Sequence, residues 1–583
     1  MGRKYLGLAH TFHDSALAIV DASGEVLFAE ATERYLQNKR AMNVRPDLFL
    51  RTGELLAQYC DPGDEIVPAY SWSDWYSRQL AEDTARFHEY LEQMHGVYGG
   101  ELPDFMGRIT ALQAFMLHSQ TATLTQSGCS LEYEIGSMEQ HKLRLLPARR
   151  YYHHLTHAAA SCFSSTFQQA VCAVVDVQGE DSAFACYDYR DGKLSPIDTV
   201  KATIPSLGSY YMEVCAACGF GEMRGEEWKV MGLAAYGEHD EGLYGIFSRM
   251  IRAQGIGFEG PTNFALMQLR RRLHGLRRKP GTPAVSAKNI AYAGQKVFND
   301  VLCEFLEALQ QKTGAENLVL TGGCALNSST NGRILESTSF KELFVFCAPA
   351  DDGNAIGAAL LAQREDHPEQ PAAAVMQTPY TGSSLSQEAL EHVRQFGPKD
   401  KMTECGGDAP ERAARLLAEG KIIGWIQGRA EFGPRALGNR SILADPRSPS
   451  IKEIINARVK FREEFRPFAP VILDEYGKDY FIDYRPAPYM ERTLRFRPEV
   501  VAVVPGVVHR DGTGRLQTVR KEWNELFYRL VRRFHDLTNV PVVLNTSFNV
   551  MGKPIAHSVE DVLAVFYTSG LDAVFIGDLL LEK

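Results

Sequence analysis

The chain has 583 residues, 45% of them apolar and 23% charged, an ordinary globular balance with apolar material for more than one core. That length excludes a single small module and suggests two large domains or two to four smaller ones. Lys+Arg of 62 against Asp+Glu of 72 leaves a formal charge of −10, which argues against broad attraction to nucleic acid or to an anionic membrane. Any anion site must be a local exception.

No uninterrupted apolar run approaches the roughly 18 residues of a membrane span, and His10 and Asp14 come too early for a signal-peptide core, so a cytoplasmic protein is expected. Leu6 breaks the myristoylation pattern that Met1-Gly2 could begin. The 11 cysteines run from Cys60 to Cys405, an odd and dispersed set that fits reduced, buried thiols better than a disulfide framework. The lone CxxC, Cys215 to Cys218, has no second pair to complete a zinc site.

In chain order, residues 5–10 and 15–21 read as apolar strands, and an Ala22-Ser23-Gly24 turn leads into a third at 25–30. About 120 residues of helical material follow, including 83–92 and 105–125, with an aromatic cluster of Tyr70, Trp72, Trp75 and Tyr76 that reads as a satellite core or a substrate lid. The opening grammar returns at 170–177, 182–189 and from Lys193 onward, with an Asp191-Gly192 turn, which is how the two halves of actin-like, ribonuclease H-like folds begin. Residues 267–280 carry a basic run that reads as a solvated face. Near 365–384 the chain becomes rich in Pro, Ala, Thr and Ser, the best linker candidate. Beyond it, 422–427, 471–473 and 542–544 read as buried strands.

Three constellations can carry chemistry. In the first, His153 and His157 stand four apart before a helix-forming Ala158-Ala159-Ala160, so both imidazoles project from one helix face while His154 points about 100° away. Asp176 ends an apolar strand and Asp351 opens a turn, and two His with two Asp suit a divalent first-row ion, with iron, zinc and manganese all open. In the second, an apolar strand at 317–321 runs into Gly322-Gly323 and Asn327, a turn that lets backbone approach a ligand closely or is a plain strand-to-helix connection. No P-loop or dinucleotide fingerprint competes with it. In the third, residues 429–466 hold nine lysines and arginines against five acids, on a loop punctuated by Gly and Pro, which suits a bidentate grip on phosphate groups.

These pieces, with Gly7, His13-Asp14-Ser15-Ala16, Glu227-Trp228-Lys229-Val230-Met231-Gly232-Leu233-Ala234, Phe465-Arg466-Pro467-Phe468-Ala469-Pro470, Asp511-Gly512-Thr513 and Leu544-Asn545-Thr546-Ser547-Phe548-Asn549, resemble the O-carbamoyltransferases of antibiotic and nodulation-factor biosynthesis over nearly the whole chain. The resemblance implies an α/β protein with a duplicated actin-like transferase domain over 1–364, a linker at 365–384 and a YrdC-like domain over 385–583. It implies that the second domain makes carbamoyladenylate from carbamoyl phosphate and ATP, and that the first passes the carbamoyl group to a hydroxyl of a small-molecule natural product. The metal, Fe2+ before Zn2+ or Mn2+, would sit on His153, His157, Asp176 and Asp351, with Mg2+ accompanying ATP. Gly322, Gly323, Asn327, Lys229 and Glu227 would bind nucleotide. Arg429, Arg435, Arg440, Lys460, Arg466, Asn545, Ser547 and Asn549 would hold carbamoyl phosphate and ATP.

An alcohol must lose its proton to attack, so His13 is the candidate general base with Asp14 beside it; the other role open to His13 is to hydrogen-bond ligand or backbone. The rival readings are a nucleotide-binding sensor of the same fold without turnover and a tRNA-modifying carbamoyltransferase. Nucleic-acid and membrane partners are not expected, and a homodimer is left open. The chain departs from the family pattern at Trp228, where Gly is usual, at Thr32-Glu33-Arg34, where Glu-Glu-Arg is expected, and at Lys553, where an acid is common.

Overall fold

A computed structural model describes residues 2–98, 104–138, 140–199, 202, 205–221, 224–370 and 376–583. Contacts cluster into two compact units, residues 1–164 with 350–372, and 165–349 with 373–583.

In the first unit the strand Arg3–Ala9 pairs antiparallel with Ala16–Asp21, which pairs with Val26–Ala31, while Glu65–Tyr70 joins the other edge of the first strand in parallel. The hairpin turn is set locally: the Asp21 carboxylate accepts from the backbone N–H groups of Ser23 and Glu25, and Gly24 takes a φ of +87°. Leu6, Leu8, Leu17, Ile19, Phe28 and Ile66 form the apolar centre of this sheet. The helices Asp74–Tyr98 and Asp104–Gln126 follow and pack on one another. Trp72, Tyr76, Leu80 and Leu124 make a satellite cluster under them, as expected, whereas Tyr70 joins the sheet core and Trp75 faces solvent.

The second unit repeats the pattern. Gln169–Val175 pairs antiparallel with Phe184–Arg190, which pairs with Lys193–Ile197, and Asn317–Thr321 lies parallel on the other edge, followed by Glu342–Phe344. The connecting turn places Asp191 and Gly192 at positive φ, the backbone twist a two-residue hairpin requires. One strand order built twice, with helices between, is the duplicated actin-like α/β pattern that the sequence pointed to.

The C-terminal region forms a mixed sheet ordered Met402–Glu404, Leu579–Glu582, Ala573–Ile576, Ile423–Ile426, Arg440–Ala444, Val542–Ser547, Ala469–Leu473 and Gln517–Val519. Trp425, Ile442, Val471, Leu544 and Phe575 fill its core. The helices Ala409–Ala418 and Glu525–Thr538 pack together beside it. Part of the expected 365–384 linker lies outside the described residues; at its far end Thr381 and Ser383 are buried. The basic run falls on the helix Asn263–Leu276 and just after it: Arg270 pairs with Glu213, Arg278 donates to the carbonyls of Cys218, Gly219 and Thr282, and Arg271, Arg272 and Lys279 face solvent. Cys215 and Cys218 are buried, which pushes both thiols up.

Within the first unit the helix Asn354–Asp366 packs on the helix His153–Ser164 at a glycine. A Cβ on Gly357 would sit 1.9 Å from the carbonyl oxygen of Thr156. Gly357→Ala is therefore expected to destabilise the chain by about 1–3 kcal/mol, read as a lower thermal midpoint; a midpoint equal to wild type would refute the close approach.

Candidate functional site

The helix His153–Ser164 is buried along almost its whole length, and its two histidines four apart share one face as the spacing requires. Asp351 begins the short turn that leads into the helix Asn354–Asp366. Its Oδ1 lies 3.6 Å from Nε2 of His153 and 3.3 Å from Nε2 of His157. Burial works against ionisation of Asp351, but hydrogen bonds from His153 and His157 and the charge of His13 outweigh it, holding the carboxyl well below its ordinary range. Two imidazoles and one carboxylate converging within 4.8 Å are donors of the kind that hold a first-row divalent ion with open positions.

The His153 ring is fixed from two sides by one short segment. Its Nδ1 lies 3.3 Å from the carbonyl oxygen of Ser71, and the indole of Trp72 stacks on it with centroids 3.9 Å apart and planes within 15°. Tyr76 also stacks on Trp72, with centroids 4.5 Å apart. Such outer contacts select the tautomer and aim the ligand nitrogen. The sequence placed Trp72 in an aromatic cluster but gave no sign that it reaches a histidine.

His13 sits on the loop after the first strand, its Nδ1 3.0 Å from Oδ2 of Asp14 and 3.8 Å from Oδ2 of Asp351. Asp14 has a φ of +52° and is paired with Arg40 at 2.8 Å. Burial opposes its charge, yet Arg40 and then His13 keep the carboxyl below its ordinary value. The first unit thus brings His13, Asp14, His153, His157 and Asp351 together.

In the second unit Asp176 follows the strand Gln169–Val175, and its Oδ1 accepts from the backbone N–H groups of Val177 at 2.7 Å and Gly323 at 3.3 Å. Gly322 has a φ of +88°, and a Cβ there would lie 2.3 Å from the Val175 carbonyl oxygen, so the first glycine serves the packing of adjacent strands. Asn327 is buried and exchanges hydrogen bonds with Gln295 while capping the backbone of Thr330. Lys229 is held by Glu226 at 2.7 Å and Glu463 at 2.8 Å, and Glu227 opens the same helix, Glu227–Ala234.

The C-terminal arginines divide by what their donors meet. Arg440 is fully buried and donates to the carbonyls of Gln427, Ser383, Gly428 and Asn439, while Arg429 donates to those of Thr381 and Gly382. Glu431 accepts from the backbone N–H groups of Leu437, Asn439 and Arg440, closing the loop on itself. Lys460 gathers Ser547 and Asn549, donating to both carbonyls at 2.8 Å, and Asn545 donates to Ala436 and Gln517. Arg435 has one long bond, to the Leu326 carbonyl at 3.4 Å, and burial and then the charge of Arg515 push it far down, while burial pushes Arg466 down to about 10 against the pull of Glu463. Arg462 is lowered by burial and by both Arg466 and Arg515, and burial takes Arg515 itself to about 10. Arg515 depresses the other three and Arg466 also depresses Arg462, so these guanidiniums together make a local field that favours an anion. Arg462 belongs to the basic stretch at 429–466, whereas Arg515 was missed in the sequence, although it lies two residues beyond the Asp511-Gly512-Thr513 motif.

Two family models match the chain, "Carbamoyltransferase N-terminus" over residues 4–360 and "Carbamoyltransferase C-terminus" over 414–583. Nodulation protein NolNO of Sinorhizobium fredii is 36% identical over 74% of this chain and 63% of its own length, less than two thirds of that relative. Nodulation protein NolO of Bradyrhizobium diazoefficiens is 35% identical over 74% of this chain and 78% of its own, and an uncharacterized Synechocystis protein, sll1178, is 30% identical over 99% and 96%. Among solved structures, full-length HypF in a phosphate- and nucleotide-bound form aligns at 11% identity over 63% of this chain and 56% of that one, with a TM-score of 0.35. No described helix is long and apolar enough to cross a membrane. With models of both halves of the family matched, the chain belongs to the carbamoyltransferase family of enzymes.

Proposed function

We propose that this chain is an ATP-dependent O-carbamoyltransferase acting on a hydroxyl of a small-molecule natural product. The observation that carries the reading is the half-buried group Arg435, Arg462, Arg466 and Arg515, a local concentration of positive charge in a chain of net charge −10. ATP and carbamoyl phosphate are the polyanions a carbamoyltransferase would bring there. In this reading residues 385–583, joined through 365–384, let water displace phosphate from carbamoyl phosphate, and an oxygen of the resulting carbamate bonds to the α-phosphorus of ATP as pyrophosphate leaves, giving carbamoyladenylate, with Mg2+ accompanying ATP. Arg435, Arg466 and Lys460 grip the phosphates with Asn545, Ser547 and Asn549, whereas Arg429 and Arg440 hold the loop that presents Arg435.

Residues 1–364 then carry the transfer. The acceptor oxygen bonds to the carbamoyl carbon, the bond from that carbon to the adenylate oxygen breaks, and AMP leaves. His13, whose Nδ1 lies 3.0 Å from Asp14, is the proposed acceptor of the hydroxyl proton. His153, His157 and Asp351 fit a divalent ion, with Asp176 proposed as the fourth ligand, Fe2+ ahead of Zn2+ and Mn2+, and Gly323, Lys229 and Glu227 beside the nucleotide. Such an ion, when bound, stabilises negative charge developing on the adenylate phosphate. A small-molecule acceptor is favoured over RNA because the exposed basic run is reduced to Arg271, Arg272 and Lys279.

The purified chain is expected to exchange labelled pyrophosphate into ATP when carbamoyl phosphate is present and no acceptor is added. Absence of exchange by folded, iron-loaded protein would overturn the reading. His153→Ala should keep this exchange and lose transfer, and loss of both would refute the division of labour between the two regions. Separately, Asp351→Ala should weaken divalent-ion binding by more than the about 10- to 100-fold that loss of an outer partner costs; equal metal content after dialysis, measured by mass spectrometry, would exclude Asp351 as a ligand.

A further inference from the structure

The helix Glu227–Ala234 belongs to the duplicated half of the chain, yet it reaches an arginine of the C-terminal half within the same compact unit. The Arg466 guanidinium lies over the Trp228 ring at 3.7 Å from its centroid. One of its terminal nitrogens is 3.4 Å from Oε2 of Glu463, and its Nε is buried with no protein partner. The other oxygen of Glu463 is held by Lys229, the residue after Trp228, at 2.8 Å. One helical turn therefore constrains Arg466 twice, through an aromatic face and through a carboxylate.

The packing around this contact is tight. A Cβ on Gly232, one turn further along, would come to 3.1 Å from Cδ of Pro467. Phe465 belongs to the apolar core of the duplicated half and lies 6.4 Å from the ring of Phe220. Residues 465–467 are thus seated against the helix, and Arg466 cannot swing without disturbing both neighbours. A guanidinium stacked on an indole keeps its plane while its edge donors stay available, and the attraction is strongest where water is excluded.

We propose that Trp228 is a positioning residue for phosphate recognition, fixing the plane of Arg466 so that its edge donors meet a phosphoryl or pyrophosphoryl group of the substrate. This rests on the reading of Arg435, Arg466 and Arg515 as an anion site. It adds that the site is completed from the duplicated half of the chain, so residues 385–583 do not contain everything that sets its affinity.

Titration calorimetry of the full chain with inorganic pyrophosphate tests it. Trp228→Ala should weaken binding by about 5- to 20-fold, and Trp228→Phe, which restores a ring face, should stay within about 3-fold of wild type. Arg466→Ala should weaken binding at least as much, and adding Trp228→Ala to it should change little further, because the indole acts only through the guanidinium. Wild-type affinity in Trp228→Ala, or an undiminished loss on the Arg466→Ala background, would overturn the role of Trp228 while leaving the anion site intact. Failure of the wild-type chain to bind pyrophosphate would overturn the anion site and this inference with it. Equal thermal midpoints across the series separate positioning from misfolding, and a Trp228→Phe variant that folds but binds as weakly as Trp228→Ala would also count against it.

Discussion

The close approach of one helix to its neighbours is the constraint on which the histidine site depends. The helix Asn354–Asp366 lies so near the first strand that a Cβ on Gly7 would stand 1.8 Å from the carbonyl oxygen of Ala355, and so near the histidine helix that Gly357 has no room for one either. Protein interiors are packed too densely to absorb such an overlap elsewhere. Because Asp351 stands just before this helix, the depth to which the helix settles decides whether its carboxylate meets His153 and His157. Two absent methyl groups, one of them directly against the histidine helix, therefore help set a donor geometry of 3.3 and 3.6 Å.

Electrostatics divide the chain into two kinds of site. Around Asp351 and Asp14 the carboxylates are kept charged by imidazoles and by Arg40, so burial is offset by partners within the same unit. Around Arg515 the opposite holds, since burial and neighbouring guanidiniums both disfavour the charged form. A cation held in that state gains most when an anion arrives, which ties affinity to desolvation rather than to net charge. The overall charge of −10 leaves the second site a local feature that composition could not show.

The fold was largely legible because it repeats. Apolar runs at 5–10 and 170–177, each followed by a polar loop and a hairpin turn, mark one supersecondary unit built twice, and hydrophobic periodicity is the signal that survives best in a single sequence. The histidine pair was legible for a similar reason, since a spacing of four is a statement about one helix face. Trp72 and Arg515 were not. Their roles arise where segments distant in sequence meet, the end of the strand Glu65–Tyr70 against a histidine helix some 80 residues on, and no local pattern encodes that meeting. Trp228 stood out only as an unusual residue, with nothing in its surroundings to indicate Arg466, which lies far along the chain.

Residue type also failed to separate arginines that do different work. Arg429, Arg435, Arg440 and Arg466 come from one basic stretch, and composition treats them alike. Counting donors separates them: a guanidinium has five N–H groups, and Arg440 directs its terminal nitrogens at four backbone carbonyls, whereas Arg466 presents a stacked face and a buried Nε without a protein partner. Converging carbonyl dipoles satisfy the donor geometry of a buried arginine, as they do around Arg440. At Arg466 the paired carboxylate is Glu463, which is shared with Lys229, and Glu226 adds a weaker charge. The first arrangement locks a loop, and in the proposed reading the second is completed by an oxyanion of the substrate.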